Sequence, residues 1–263
     1  MALTGRIFGF GVGRPGQATL KRARRSGGAM HRVMLLNPKG GSGKTTIATG
    51  LASYFAASGW PTLIFDYDAQ GSSSRWLRVR PGHRPPVEGV AAYETRAGVT
   101  RSWQMRIPPG TERVVIDTPA GIRTPELLDL VRRTDSIIVP VLPSYIDIDA
   151  VGVFLDRLRG LEPIRSGDVR VALVANRVRA RTVVSKELDE FLSGLGFAHI
   201  ATLRESQSYV RAAATGLGVH ELRTARARYD WCQWQSLLAW LGSLRQPELP
   251  LDRPVMRPAV AAG

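Results

Sequence analysis

The chain has 263 residues, 44% of them hydrophobic and 22% charged, enough for one large domain with a well-buried core. Its formal net charge of +14 comes mostly from arginine and points toward a polyanionic partner, nucleic acid or an anionic membrane surface, although Arg-rich codon usage raises such a charge too. The single cysteine, Cys232, excludes an intrachain disulfide framework or a CxxC metal site made by one chain, and no apolar run approaches the roughly 18 residues that span a bilayer.

Residues 1–29 contain Arg6, Arg14, Lys21, Arg22, Arg24 and Arg25 and no acid, without the apolar core of a secretory signal. They are read as a basic extension, either disordered or an artefact of the assigned start, with Met30 just ahead of the first strand. That strand is predicted over Arg32–Asn37. A glycine-rich turn follows, then a helix over Thr45–Ser58 closed by Gly59, and a buried strand over Pro61–Asp66. Between Ser72 and Pro109 the composition turns to Arg, Gly and Pro. A short helix near Val90 and an edge strand near Trp103–Ile107 are expected there.

A regular alternation then sets in. Strand Arg113–Asp117 precedes helix Pro125–Arg133, with Thr124 the expected N-cap. Strand Ser136–Leu142 precedes helix Asp147–Arg159, and strand Val169–Asn176 precedes helix Thr182–Leu195. Strand Ala198–Leu203 leads to a short helix at Ser206–Thr215, and one last helix is predicted over Ala225–Leu244. The pattern specifies an α/β fold of three layers, a mainly parallel twisted sheet flanked by helices. Ligands of such sheets bind beyond the carboxyl ends of the strands, where the chemically distinctive residues here are concentrated. The domain is expected to span 30–245, followed by a Pro-rich tail, 246–263, in which Pro247, Pro250, Pro254 and Pro258 forbid a helix of useful length.

Between the first strand and the first helix stands Lys39-Gly40-Gly41-Ser42-Gly43-Lys44-Thr45-Thr46. Glycines let backbone N–H groups curl around phosphate oxygens, and the helix N-terminus adds positive potential. Lys44 is placed to reach β- and γ-phosphates, and Thr45 to ligate Mg²⁺. Pro38 occupies the position of the usual first glycine, so the pattern is KGGxGKTT rather than GxxxxGK[ST].

That pattern resembles the deviant phosphate loop of the ParA/MinD family of P-loop ATPases, and the likeness extends along most of residues 32–245. The resemblance implies that Lys39 reaches across an ATP-dependent homodimer to the partner's nucleotide. Asp66-Tyr67-Asp68-Ala69-Gln70-Gly71 is similar to the family's first switch segment, which implies Asp68 orienting or activating the attacking water and Asp66 supporting the Mg²⁺ shell. Val114-Val115-Ile116-Asp117-Thr118-Pro119 looks like the second switch, with Asp117 on Mg²⁺. Asn176-Arg177 matches a family pair whose Asn reads the adenine edge, a task suited to an amide's adjacent donor and acceptor. The Thr202–Ser206 loop falls at the family's second adenine-side position but lacks the usual proline.

What such a dimer binds varies between branches. The cysteines of the metal-carrier and nitrogenase-reductase branches are absent, as is a C-terminal amphipathic membrane helix. The stripe Trp231, Trp234, Leu238 and Leu241 is expected to pack on the domain. The ParA branch binds DNA without sequence preference. Arg179, Arg181, Arg204, Arg211, Arg223, Arg226 and Arg228 all lie in the C-terminal half, with Arg211 and the Arg223–Arg228 cluster as the leading DNA contacts. Within that branch the loop resembles the McdA-type proteins that position carboxysomes through a small adaptor, McdB. A nucleoid-associated cytoplasmic ATPase is thus expected. Partition ATPases with a ParB-like adaptor, MinD-like membrane regulators and metabolic ATP-dependent enzymes on the same fold are the alternatives.

Overall fold

The computed structural model describes residues 30–95, 97–179 and 182–242. The basic extension, Arg181 and the Pro-rich tail lie outside them. Seven strands form one sheet: β1 (His31–Leu35), β2 (Thr62–Asp66), β3 (Glu88–Ala91), β4 (Arg113–Asp117), β5 (Ser136–Val141), β6 (Arg170–Val178) and β7 (Ala198–Arg204), in the order β3-β2-β4-β1-β5-β6-β7. Every pairing is parallel. The helices are α1 (Lys44–Ala57), α2 (Ser72–Val79), α3 (Arg101–Gln104), α4 (Thr124–Arg132), α5 (Tyr145–Arg159), α6 (Glu162–Arg165), α7 (Val183–Gly194), α8 (Gln207–Ala214), α9 (Ala225–Cys232) and α10 (Gln235–Trp240).

The period-two alternation of the strands divides the core into two layers. Met34, Leu63, Phe65, Ile116 and Val139 face α4, α5 and α7. Val33, Leu35, Ile64, Val115 and Ile138 face α1 and the C-terminal helices. Because α8 and the Trp231 and Trp234 rings cover its outer side, α1 is buried almost all round, and its apolar residues circle the helix rather than forming a stripe. Gly50 marks the closest approach: a Cβ there would lie 2.4 Å from the Trp234 ring. Trp234, Leu238 and Leu241 are buried, so the apolar stripe does pack on the domain.

Three local expectations are corrected. The segment near Val90 is the edge strand β3, paired with Leu63–Asp66, whereas Trp103 sits in a single helical turn capped by Thr100. Four residues are too few for periodicity to distinguish the two, and the strand is decided by its non-local partner. Gly89 belongs there because Leu77 packs across it, 2.1 Å from where a Cβ would be. Helix α4 starts one residue earlier than expected, with Arg123 as N-cap and Pro125 inside the first turn, where its missing N–H costs nothing. The last helix is broken at Gln233–Trp234: Trp234 N bonds to Trp231 O in a tightened turn, and the Gln233 side chain accepts from Arg204 N.

Strand β1 lies between β4 and β5, so the direction in which successive strands are added reverses at its carboxyl end. This is where open α/β sheets form a crevice, and the glycine-rich loop leaves β1 at that point.

Candidate nucleotide-binding site

The loop is shaped by Gly41 and Gly43, at φ 75° and 92°, a region closed to most side chains. Gly43 caps α1, and a Cβ on it would lie 2.0 Å from Asn176 Nδ2. Gly40 and Gly41 face open space. Asn37, buried at the loop's base, donates to Pro140 O at 2.6 Å and accepts from Lys39 N at 2.7 Å, tying the loop to β5. The Lys44 ammonium folds over the loop and donates to Asn37 O and Lys39 O at 3.0 and 2.9 Å. Burial lowers its pKa, and the charges of Asp117 and Asp68 oppose that. A cation held inside a ring of backbone N–H groups and carbonyls suits a polyphosphate.

Two neighbouring strands deliver carboxylates to the same crevice, since β2 and β4 run in register with Asp66 beside Asp117. Both are buried. Asp66 Oδ2 accepts from Ser74 N and Oγ, each at 2.8 Å, and Asp117 Oδ2 accepts from Ser73 Oγ at 2.5 Å. Asp117 Oδ1 is buried without a hydrogen bond. Burial pushes the Asp117 carboxyl up to about 7. The Asp66 charge adds to the rise, and the Ser73 and Thr45 hydroxyls and Lys44 counter it. A buried carboxylate oxygen lacking a partner, next to a second acid and a threonine hydroxyl, fits a hard divalent cation that takes its other ligands from phosphate and water. Thr45, Asp66 and Asp117 could hold Mg²⁺ in this way. Asp68 is half-buried at the crevice's edge, its Oδ1 accepting from Gln70 N at 2.9 Å.

Asn176 stands at the end of β6, buried, and donates to Ser42 O at 2.8 Å. The next residue, Arg177, has φ 53°, the one non-glycine at positive φ among the described residues, where the β6–β7 register slips. Strain of this kind clusters at functional sites, and here it sits directly beside the buried Asn176. Lys39, by contrast, points to the rim. Its ammonium donates to Ile146 O at 2.9 Å and pairs with Asp147 at 3.0 Å, at the start of α5. Beside it Tyr145 and Ile146 are exposed at 57% and 75%, an apolar lip on the open side of the loop.

The structure thus gathers Lys39–Thr46, Asp66, Asp68, Asp117 and Asn176 around one crevice. Sequence reading missed Ser73 and Ser74, which orient the carboxylates. Their place in a Ser-Ser-Ser run directly after the acidic segment was the available signal. The arginines are dispersed: Arg211 lies on α8, Arg226 and Arg228 on α9, and Arg223 just before it, all exposed. Arg226 lines a cavity of ≈ 310 Å³ with Arg179 and Arg204. There Arg179 pairs with Glu205 and Arg204 with the buried Asp230.

A parallel sheet with a glycine-rich loop on its central strand and buried acids on the neighbouring strands defines a P-loop nucleotide-binding protein. A family model, the CobQ/CobB/MinD/ParA nucleotide binding domain, matches residues 33–219, and the chain belongs to that family. The matched family is nucleotide-binding, and the chain is an ATPase of that family. The Maintenance of carboxysome distribution protein A of Gloeobacter kilaueensis is 32% identical over 205 residues, covering 74% of this chain and 87% of that protein. Its namesake from Halothiobacillus neapolitanus is 27% identical over 191 residues, covering 72% and 87%. Among solved structures, Cyanothece apo McdA superposes with a TM-score of 0.60 at 14% identity over 79% of this chain and 99% of that one. MinD in the MinC:MinD cell division complex of Aquifex aeolicus gives 0.58 at 15%, over 85% and 98%. No helix among the described residues is long and apolar enough to cross a membrane.

Proposed function

We propose that this ATPase is a positioning switch: it dimerises on ATP, binds nucleoid DNA without sequence preference, and moves a cargo that a small adaptor links to it. Carboxysomes are the first cargo and an McdB-like protein the first adaptor, supported by similarity to carboxysome distribution proteins over most of their length. The observation that carries the reading is Lys39. The phosphate loop already has its own lysine, Lys44, folded inside it, whereas Lys39 stands at the rim beside an exposed apolar lip. A second cation there serves a nucleotide in an opposing subunit, and Tyr145 and Ile146 offer that subunit an apolar contact.

Within one subunit the loop N–H groups and Lys44 grip the phosphates; Thr45, Asp66 and Asp117 would hold Mg²⁺, which would supply positive charge against the transferred phosphoryl group. Asp68 positions the attacking water at the crevice's edge. Asn176 leaves Ser42 O to meet the adenine edge. Arg211, Arg223, Arg226 and Arg228 contact DNA phosphates. Hydrolysis, speeded by the adaptor, opens the dimer and releases the DNA. A ParB-like adaptor with a plasmid or chromosome cargo is the second reading, favoured by the 29% identity over 163 residues to the chromosome-partitioning ATPase Soj of Thermus thermophilus.

The test is the mass of the protein in solution with Mg²⁺ and ATP. The Asp68→Ala chain, slowed in hydrolysis, is expected to run as a dimer, and Asp68→Ala/Lys39→Ala as a monomer that still binds ATP. Dimerisation undiminished without Lys39 would falsify the reading. Tracking a fluorescent fusion against labelled carboxysomes in the native host separates the cargo alternatives.

A further inference from the structure

Helix α2 is fastened at both ends to parts of the molecule with different roles. Its first turn is bonded to the two buried acids: Ser73 Oγ donates to Asp117, and Ser74 N and Oγ donate to Asp66. Midway, Trp76 Nε1 donates to Leu217 O at 3.1 Å. Just past its end, Arg80 donates to Gly216 O at 2.9 Å and grips Glu221 with both Nη atoms, at 3.0 and 3.1 Å. The Arg80 and Glu221 side chains are 5% and 1% exposed, and Glu221 Oε2 also accepts from Gly218 N at 2.7 Å.

A bidentate, buried pair of this kind fixes direction as well as distance. The backbones are in contact too: Gly216, at φ 66°, lies so close that a Cβ on it would be 2.4 Å from Arg80 N. Residues 216–221 join α8, which carries Arg211, to Arg223 and α9, and they pack against both helices. Along its flank α2 borders a cleft of ≈ 300 Å³ lined by Thr45, Ser72, Trp76, Val79 and Ala213. The helix is therefore anchored at both ends and at Trp76, with an open cleft along one flank.

We propose that α2 is a strut that couples the carboxylate pair to the arginine-bearing helices. When Asp66 and Asp117 turn to a cation, Ser73 and Ser74 lose their acceptors, α2 shifts into the cleft, and Arg80 and Trp76 carry 216–221 and α9 with it. Bound nucleotide thereby sets the arrangement of Arg211, Arg223, Arg226 and Arg228. The inference rests on the metal-site roles proposed above, not on what those arginines bind. Rigid elements with two arrangements are how such coupling travels through packed proteins.

Hydrogen–deuterium exchange of the full chain with and without Mg²⁺ and ATP tests it. In the wild type, exchange is expected to change both in the phosphate-loop peptide and, by about threefold or more, in 216–232. Arg80→Met/Glu221→Met replaces the buried pair with apolar side chains, an exchange that cores tolerate. It is expected to keep the first response and lose the second. Trp76→Phe keeps an aromatic side chain but removes the donor to Leu217 O, and is expected to weaken the second, which supplies the result should the double variant fail to fold. A wild-type 216–232 segment indifferent to ATP while the phosphate loop responds overturns the proposal, as does an undiminished response in the variant that reports. A phosphate loop that does not respond overturns the nucleotide-site roles instead.

Discussion

Gly43 has no room for a side chain, because its φ of 92° and the Asn176 amide 2.0 Å from an added Cβ each forbid one. Gly43→Ala is expected to abolish ATP binding, measured by fluorescent-nucleotide titration. Adding Asn176→Ala should restore part of the melting temperature by removing the steric half of the conflict, while the positive φ still costs about 1–2 kcal/mol. Asp117 presents the opposite case, a residue that the isolated subunit holds at a cost. Its Oδ1 is buried without a hydrogen bond beside a second acid. Asp117→Asn removes that buried charge and is expected to stabilise the nucleotide-free protein by about 1–3 kcal/mol. In the same thermal melts, the further stabilisation by Mg²⁺ and ATP should disappear.

The C-terminal helices lock onto α1 through rings. Tyr54 of α1 meets Trp231 with centroids 5.1 Å apart, and Trp231 meets His220 at 4.9 Å. His220 is enclosed with neither ring nitrogen hydrogen-bonded, and burial lowers its pKa to about 4. Glu221 opposes that shift, and Arg80 and Arg84 reinforce it. With the folded value below the ordinary 6.5, this group's contribution is complete above that pH and is lost as the pH falls toward 4. The loss amounts to up to about 3 kcal/mol, from ~1.4 kcal/mol per unit. His220→Leu is expected to flatten the stability profile between pH 6.5 and 4 in urea titrations, with little change at pH 8. A profile as steep as the wild type's would assign the acid limb to other groups.

For the molecule as a whole, the charge of +14 becomes an expectation about salt. Removing one phosphate-bound arginine from a DNA interface lowers the slope of log K against log [salt] by about 0.9. Arg226→Ala and Arg228→Ala, made in the ATP-bound dimer, are each expected to weaken DNA retention uniformly across sequences and to reduce the slope by about that amount. Arg204→Ala should instead destabilise the fold, because its partner Asp230 is fully buried and would be left unpaired. Arginines alike in the sequence therefore divide into surface and structural ones, a distinction that the run of residues 179–228 does not carry.

The sequence by itself determined the layered fold, the phosphate loop and the acids at the strand ends, because each is a local pattern: alternating apolar runs, closely spaced glycines, an aspartate closing a strand. It left Ser72–Pro109 misread, since β3 exists only by pairing with β2 and α3 by a single capped turn. It held no sign that Lys39 rests on Asp147 or that Arg80 seals onto Glu221. Those interactions join residues far apart in the chain. Their energy depends on burial and direction, which only the tertiary structure decides.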